Sequence, residues 1–180
     1  ANSFNSNAIS LVDYGLQAYT RTLARNAAAC ARRVADRAML RNPERQRFVA
    51  GSIGPTSKSL SIASDVDNPA HRDIEFAELA AAYREQIEGL VEGGVDILLV
   101  ETCFDTLNCK AALVAADEVF EQIGRRLPII VSASLTSSGR LLSGQTVEAF
   151  LVSIAHARPL AVGFNCSFGA KQLYPHVCRL

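Results

Sequence analysis

The sequence predicts an α/β fold in which parallel strands alternate with crossover helices. Four short runs of mostly continuous β-branched and aliphatic residues read as strands covered on both faces. Between them lie longer stretches whose apolar residues recur at three-and-four spacing, as on one face of a helix. No linker or low-complexity segment interrupts the alternation, which is the pattern of a parallel sheet.

The elements follow in order. An Ala- and Arg-rich stretch over residues 16–39 is helical by propensity. Residues 47–53 form the first expected strand, running out into Gly51-Ser52-Ile53-Gly54-Pro55-Thr56. Phe76, Leu79, Ala80, Tyr83, Ile87, Leu90 and Val91 make one helical stripe, stopped by Gly93-Gly94. The second strand, residues 95–101, ends in Glu101. Asp105-Thr106 is a good N-cap pair for a helix carrying Leu107, Ala111, Val114, Ala115, Val119 and Ile123, which Gly124 ends. The third strand covers residues 128–134, and Val147, Phe150, Leu151 and Ile154 mark a helix closed by Arg158-Pro159. The fourth strand, residues 160–166, ends in Asn165-Cys166. A doubly wound sheet and a piece of a (β/α)8 barrel both fit. Four strands do not close a barrel, which takes about 250 residues.

Bulk properties narrow the function. At 180 residues the length suits one domain, and 49% apolar with 20% charged residues is ordinary for a globular chain. The formal net charge of zero offers no basic field for nucleic acid or anionic lipid. No apolar run approaches the roughly 20 residues of a membrane helix, and the N-terminus has no signal pattern, so a cytoplasmic chain is expected. The missing start methionine suggests that the beginning of the protein is absent. Five irregularly spaced cysteines argue against a disulfide scaffold, and each reads by default as a small buried hydrophobe.

In both architectures ligands bind at the C-terminal ends of the strands. Those ends collect Ser52, Glu101, Thr102, Cys103, Ser132, Ser134, Asn165 and Cys166. Glu101 follows four consecutive apolar residues, so its carboxylate is a structural partner, a fixed anion for a substrate cation, or a general base. The Gly51-to-Thr56 turn lacks the lysine of a phosphate loop and reads as a tight strand exit. The loop through Gly139-Arg140 reads as a solvated turn. His71, His156 and His176 have no metal-ligand spacing, and His156 suits the C-terminal end of a helix.

Taken together, several segments resemble the homocysteine S-methyltransferase family over residues 1–180. Gly163-Phe164-Asn165-Cys166 is similar to the family's Gly-x-Asn-Cys, and Asn2-Ser3-Phe4-Asn5-Ser6 to its second-strand exit. The Phe48-to-Thr56 segment, Asp65-Val66-Asp67-Asn68-Pro69, Glu101-Thr102-Cys103-Phe104-Asp105 and Ser143-Gly144-Gln145-Thr146 resemble the cobalamin-dependent branch in particular. The resemblance implies a zinc-bearing (β/α)8 TIM barrel that binds homocysteine, with methylcobalamin as methyl donor and cobalamin- and folate-binding modules as partners in the parent chain. It implies that Cys166 is a zinc ligand, that Glu101 binds the substrate ammonium, and that Asn165 belongs to the substrate site.

The family's other two zinc ligands lie in a Gly-Gly-Cys-Cys segment, and no Cys-Cys pair exists here. The first strand and the last strands are also missing, so residues 1–180 are expected to be the central part of the barrel. Such a piece is expected to bind zinc weakly and to transfer no methyl group alone. Two alternatives stand beside this reading. One is a betaine- or S-methylmethionine-dependent relative. The other is a non-catalytic fragment whose open sheet edges need a partner chain.

Overall fold

Val49, Ile53, Leu98, Val100, Ile129 and Val131 are buried, and the runs that carry them pair into one sheet in the computed structural model, which describes residues 1–180. The strands are β1 (Ala50–Ile53), β2 (Ile97–Cys103), β3 (Ile129–Ala133) and β4 (Ala161–Phe164). All three pairings are parallel and the order is β1-β2-β3-β4, so each strand lies beside the one that precedes it in the chain. The fold is therefore the expected α/β arrangement of parallel strands with crossover helices, and the sheet does not close on itself.

Six α-helices accompany the sheet: α1 (Ala8–Leu11), α2 (Thr20–Arg41), α3 (Phe76–Glu92), α4 (Thr106–Ile123), α5 (Val147–Ile154) and α6 (Ala170–Val177). The expected helix over 16–39 starts at Thr20 instead, because Gly15 turns the chain with φ 66° and short 3-10 turns occupy Val12–Tyr14 and Gln17–Tyr19. Gly124 ends α4 in the left-handed conformation, as expected.

Two glycines one turn apart let α2 approach α3 closely. A Cβ at Gly89 would lie 2.5 Å from the Arg21 carbonyl oxygen, and one at Gly93 would strike the Arg25 carbonyl and Ala28. Gly89 of α3 and Gly93, which caps its C-terminal end, thus meet Ala24 and Ala28 of α2, both fully buried. Arg21 closes this seam on the outside through Glu88 and Glu92.

Strand boundaries differ from expectation in two informative ways. β1 begins at Ala50 rather than 47: Phe48 is 64% exposed, and the Val49 amide donates to the Asp96 carboxylate at 2.7 Å. β2 runs two residues past Glu101 through an irregularity. Val100 pairs with Val131 but Cys103 with Ala133, so β2 carries one extra residue at Glu101-Thr102. Such a bulge re-aims side chains at the end of a strand.

The stretch 1–4 follows β1 on its far side without forming a ladder. The Ala1 amine donates to the Ala50 carbonyl, Ser3 Oγ donates to Ser52 O at 2.7 Å, and Gly54 N donates to Phe4 O at 2.9 Å. Buried Gln86 also donates to Ser3 O, at 2.6 Å. This run is where the resemblance expected the remnant of a preceding strand. No helix is long and apolar enough to cross a membrane.

Candidate functional site at the strand ends

The polar residues that end four apolar strands meet at one edge of the sheet, because parallel strands deliver all their C-termini to the same side. Glu101 is half-buried, and the buried Ser52 on β1 donates its hydroxyl to a Glu101 carboxylate oxygen at 2.5 Å. One of the two carboxylate oxygens is thereby fixed by a neighbouring strand.

Asn165 follows β4 and joins three strands. Its Oδ1 accepts from the Thr102 amide at 3.1 Å and from Ser132 Oγ at 2.7 Å. Its Nδ2 donates to Thr102 Oγ1 at 2.8 Å and to Cys166 Sγ at 3.4 Å. Cys166 is exposed, contrary to the default for a strand-end cysteine. Thr102 and Cys166 adopt φ of 62° and 53°, a left-handed conformation that costs an ordinary residue about 1–3 kcal/mol. Backbone held in this way is concentrated at this edge; Arg158, which ends the turn after α5, is the other non-glycine example.

The remaining cysteines sort by environment. Cys103 and Cys109 are buried, as the default expects, whereas Cys30 and Cys178 are exposed away from the cluster. The neighbouring Cys109 and burial push the Cys103 thiol well up, so it is an inert thiol at neutral pH.

Beneath the cluster, Asp105 caps α4 and organises the long loop after β1. It accepts from Leu107 N at 2.9 Å, Ser59 Oγ at 2.6 Å, Ser61 N at 2.9 Å and Ser61 Oγ at 2.7 Å. Burial opposes the charge, but these donors prevail and hold the carboxyl below its usual range. Tyr83, also buried, has its phenol pushed up by desolvation.

The expected site residues Glu101, Asn165 and Cys166 therefore lie on the same edge. Sequence reasoning left Ser52, Thr102 and Ser132 without roles, although each is a hydroxyl at the end of a buried strand. No group of three or more His, Cys, Asp and Glu side chains clusters to hold a metal, and Cys166 is the exposed thiol of this edge. A groove of about 820 Å3 lies elsewhere, against α2 and the start of β1. Its lining is mostly alanine, valine and phenylalanine, an uncovered helix face rather than a place for chemistry.

A parallel β/α sheet with thiol, carboxylate and amide gathered at its C-terminal edge is the arrangement of a barrel-type α/β enzyme. The chain belongs to the homocysteine S-methyltransferase family, whose sequence model matches residues 1–180. Its fold is similar to crystal structures of the homocysteine methyltransferase MmuM from Escherichia coli. The apo form is 21% identical with a TM-score of 0.70, over 90% of this chain and 55% of that one. The metallated form is 24% identical with a TM-score of 0.72, over 92% and 56%. This chain thus spans little more than half the length of those proteins.

Proposed function

We propose that residues 1–180 are the central part of the homocysteine-binding barrel of a zinc-dependent methyltransferase, of the cobalamin-dependent methionine synthase type. The observation that carries the reading is an exposed Cys166 thiol beside Asn165 on the same sheet edge as a Glu101 carboxylate tethered by Ser52, in a chain of this family.

In this reading the Glu101 oxygen that Ser52 leaves open receives the ammonium of homocysteine. A half-buried carboxylate pairs with such a cation more strongly than an exposed one does. Cys166 supplies one thiolate to the zinc. Bound zinc would keep the substrate sulfur deprotonated at neutral pH, which makes it a nucleophile. The donor set fits as one corner of such a site: a thiol, exposed, with an amide N–H directed at its sulfur. By the family resemblance the remaining ligands come from adjacent cysteines outside residues 1–180. A metallated form of MmuM supports a metal in the family.

Methylcobalamin as donor, with cobalamin- and folate-binding modules as partners, rests on the resemblance of the 65–69 and 143–146 segments. The test supplies L-homocysteine to the intact protein with methylcobalamin and 5-methyltetrahydrofolate, with betaine, or with S-methylmethionine. Methionine is expected from the first mixture alone. Methionine from betaine or S-methylmethionine overturns the cobalamin assignment, and none from any donor overturns the methyltransferase reading.

A further inference from the structure

β2 and β4 are not neighbours, because β3 lies between them. The Asn165 side chain nevertheless bridges their ends, passing over β3 and taking the Ser132 hydroxyl on the way. Its amide has two acceptor and two donor positions, and all are used: Thr102 N, Ser132 Oγ, Thr102 Oγ1 and Cys166 Sγ. Turning the amide over would set its NH2 against the Thr102 N–H, so the network permits one orientation. No position remains for a substrate atom, and Asn165 acts through its neighbours.

Those neighbours are the groups that matter. Glu101 directly precedes Thr102, and Cys166 directly follows Asn165. Thr102 and Cys166 both hold left-handed backbone that their side chains disfavour. The two-bond contact between Thr102 and Asn165 is what pins the Glu101-Thr102 bulge to the end of β4. Ser52 pins the carboxylate from the opposite side.

We propose that the Thr102–Asn165 clamp fixes the separation between the Glu101 carboxylate and the Cys166 sulfur, and thereby selects the length of amino thiol that the site accepts. The inference rests on the methyltransferase reading above. An amino thiol is held at its ammonium by Glu101 and at its sulfur beside Cys166, so a chain one methylene shorter cannot satisfy both. Homocysteine fits and cysteine does not. One methylene is typically worth 10–200-fold in discrimination. Thr102 and Asn165 are positioning residues in this account.

The test measures KM and kcat for homocysteine and the inhibition constant of cysteine, in the intact methyltransferase carrying Thr102→Gly or Thr102→Ser. Glycine accepts φ 62° without strain, so the first variant removes the hydroxyl without burdening the backbone. Thr102→Gly is expected to erode the preference for homocysteine over cysteine by about tenfold or more, chiefly through KM. Thr102→Ser, which keeps the hydroxyl, is expected to retain that preference. An unchanged preference in Thr102→Gly, or one lost equally in Thr102→Ser, overturns the clamp while leaving the methyltransferase reading intact. A wild-type enzyme that methylates no homocysteine overturns both. Independently, the Asn165 side-chain amide protons in the 180-residue chain are expected to exchange slowly with solvent. Exchange as fast as that of a free asparagine overturns the clamp.

Discussion

The Ser52 hydroxyl and the Glu101 carboxylate, on adjacent strands, form a hydrogen bond of 2.5 Å at the C-terminal edge of the sheet. The serine closes one oxygen of the acid and leaves the other available. A hydrogen bond to a charged group is worth about 1.5–3 kcal/mol. Glu101→Gln in the intact protein is therefore expected to raise the KM for homocysteine about tenfold to a hundredfold, with a smaller change in kcat. A KM unchanged within twofold would remove Glu101 from the substrate site.

Cys166 is the one exposed thiol in the strand-end cluster. Cys166→Ser in the intact protein is expected to abolish methyl transfer and to lower the zinc recovered per chain. The 180-residue chain itself, with one candidate ligand, is expected to bind zinc weakly in a titration. Tight stoichiometric binding by this segment would show that its own cysteines build a complete site.

Asp105 ties the loop after β1 to the start of α4. Its carboxyl is held below its ordinary value of 3.8, so the stability it adds is complete above that value. As the pH falls through the lowered folded value, that stability is lost. Asp105→Asn turns an amide donor towards the serine donors and is expected to cost about 1–3 kcal/mol at pH 7. Urea unfolding at pH 7, 4 and 3 checks both parts. The loss on acidification should shrink in the variant, and an undiminished loss would point to other carboxylates.

Replacing a glycine inside a helix by alanine ordinarily gains up to about 1 kcal/mol. At Gly89 the sign reverses, because the added Cβ meets the Arg21 carbonyl at 2.5 Å. Gly89→Ala is expected to cost about 1–3 kcal/mol, read as a lowered thermal midpoint. A raised midpoint would mean that α2 and α3 separate without penalty.

The outer edge of β4 has no strand partner, and Leu160, which directly precedes the strand, is exposed. Unpaired backbone beside apolar side chains recruits other chains. Light scattering of the 180-residue chain is expected to show concentration-dependent self-association. A monomer at every concentration would contradict it.

Much of this protein follows from order along the chain alone. Continuous apolar runs separated by striped segments specify parallel strands with crossover helices, because a strand covered on both faces has no polar side to show. Glycine after Ile123 and aspartate before Thr106 mark the ends of α4, because left-handed backbone and helix capping are local chemistry. The parallel arrangement also assigns Glu101, Asn165 and Cys166 to the same edge before any coordinate is known.

Tertiary structure decided how those residues are held. That Glu101-Thr102 forms a bulge depends on pairing β2 with β3, which no single segment encodes. Ser52 meets Glu101 across 49 positions, and Asn165 meets Thr102 across 63. These bonds form only when separate strands pack in register, so they leave no periodicity or spacing to read. The same holds for the cysteines: composition treats all five alike, and packing alone buries Cys103 and Cys109 while leaving Cys166 exposed at the edge where chemistry can reach it.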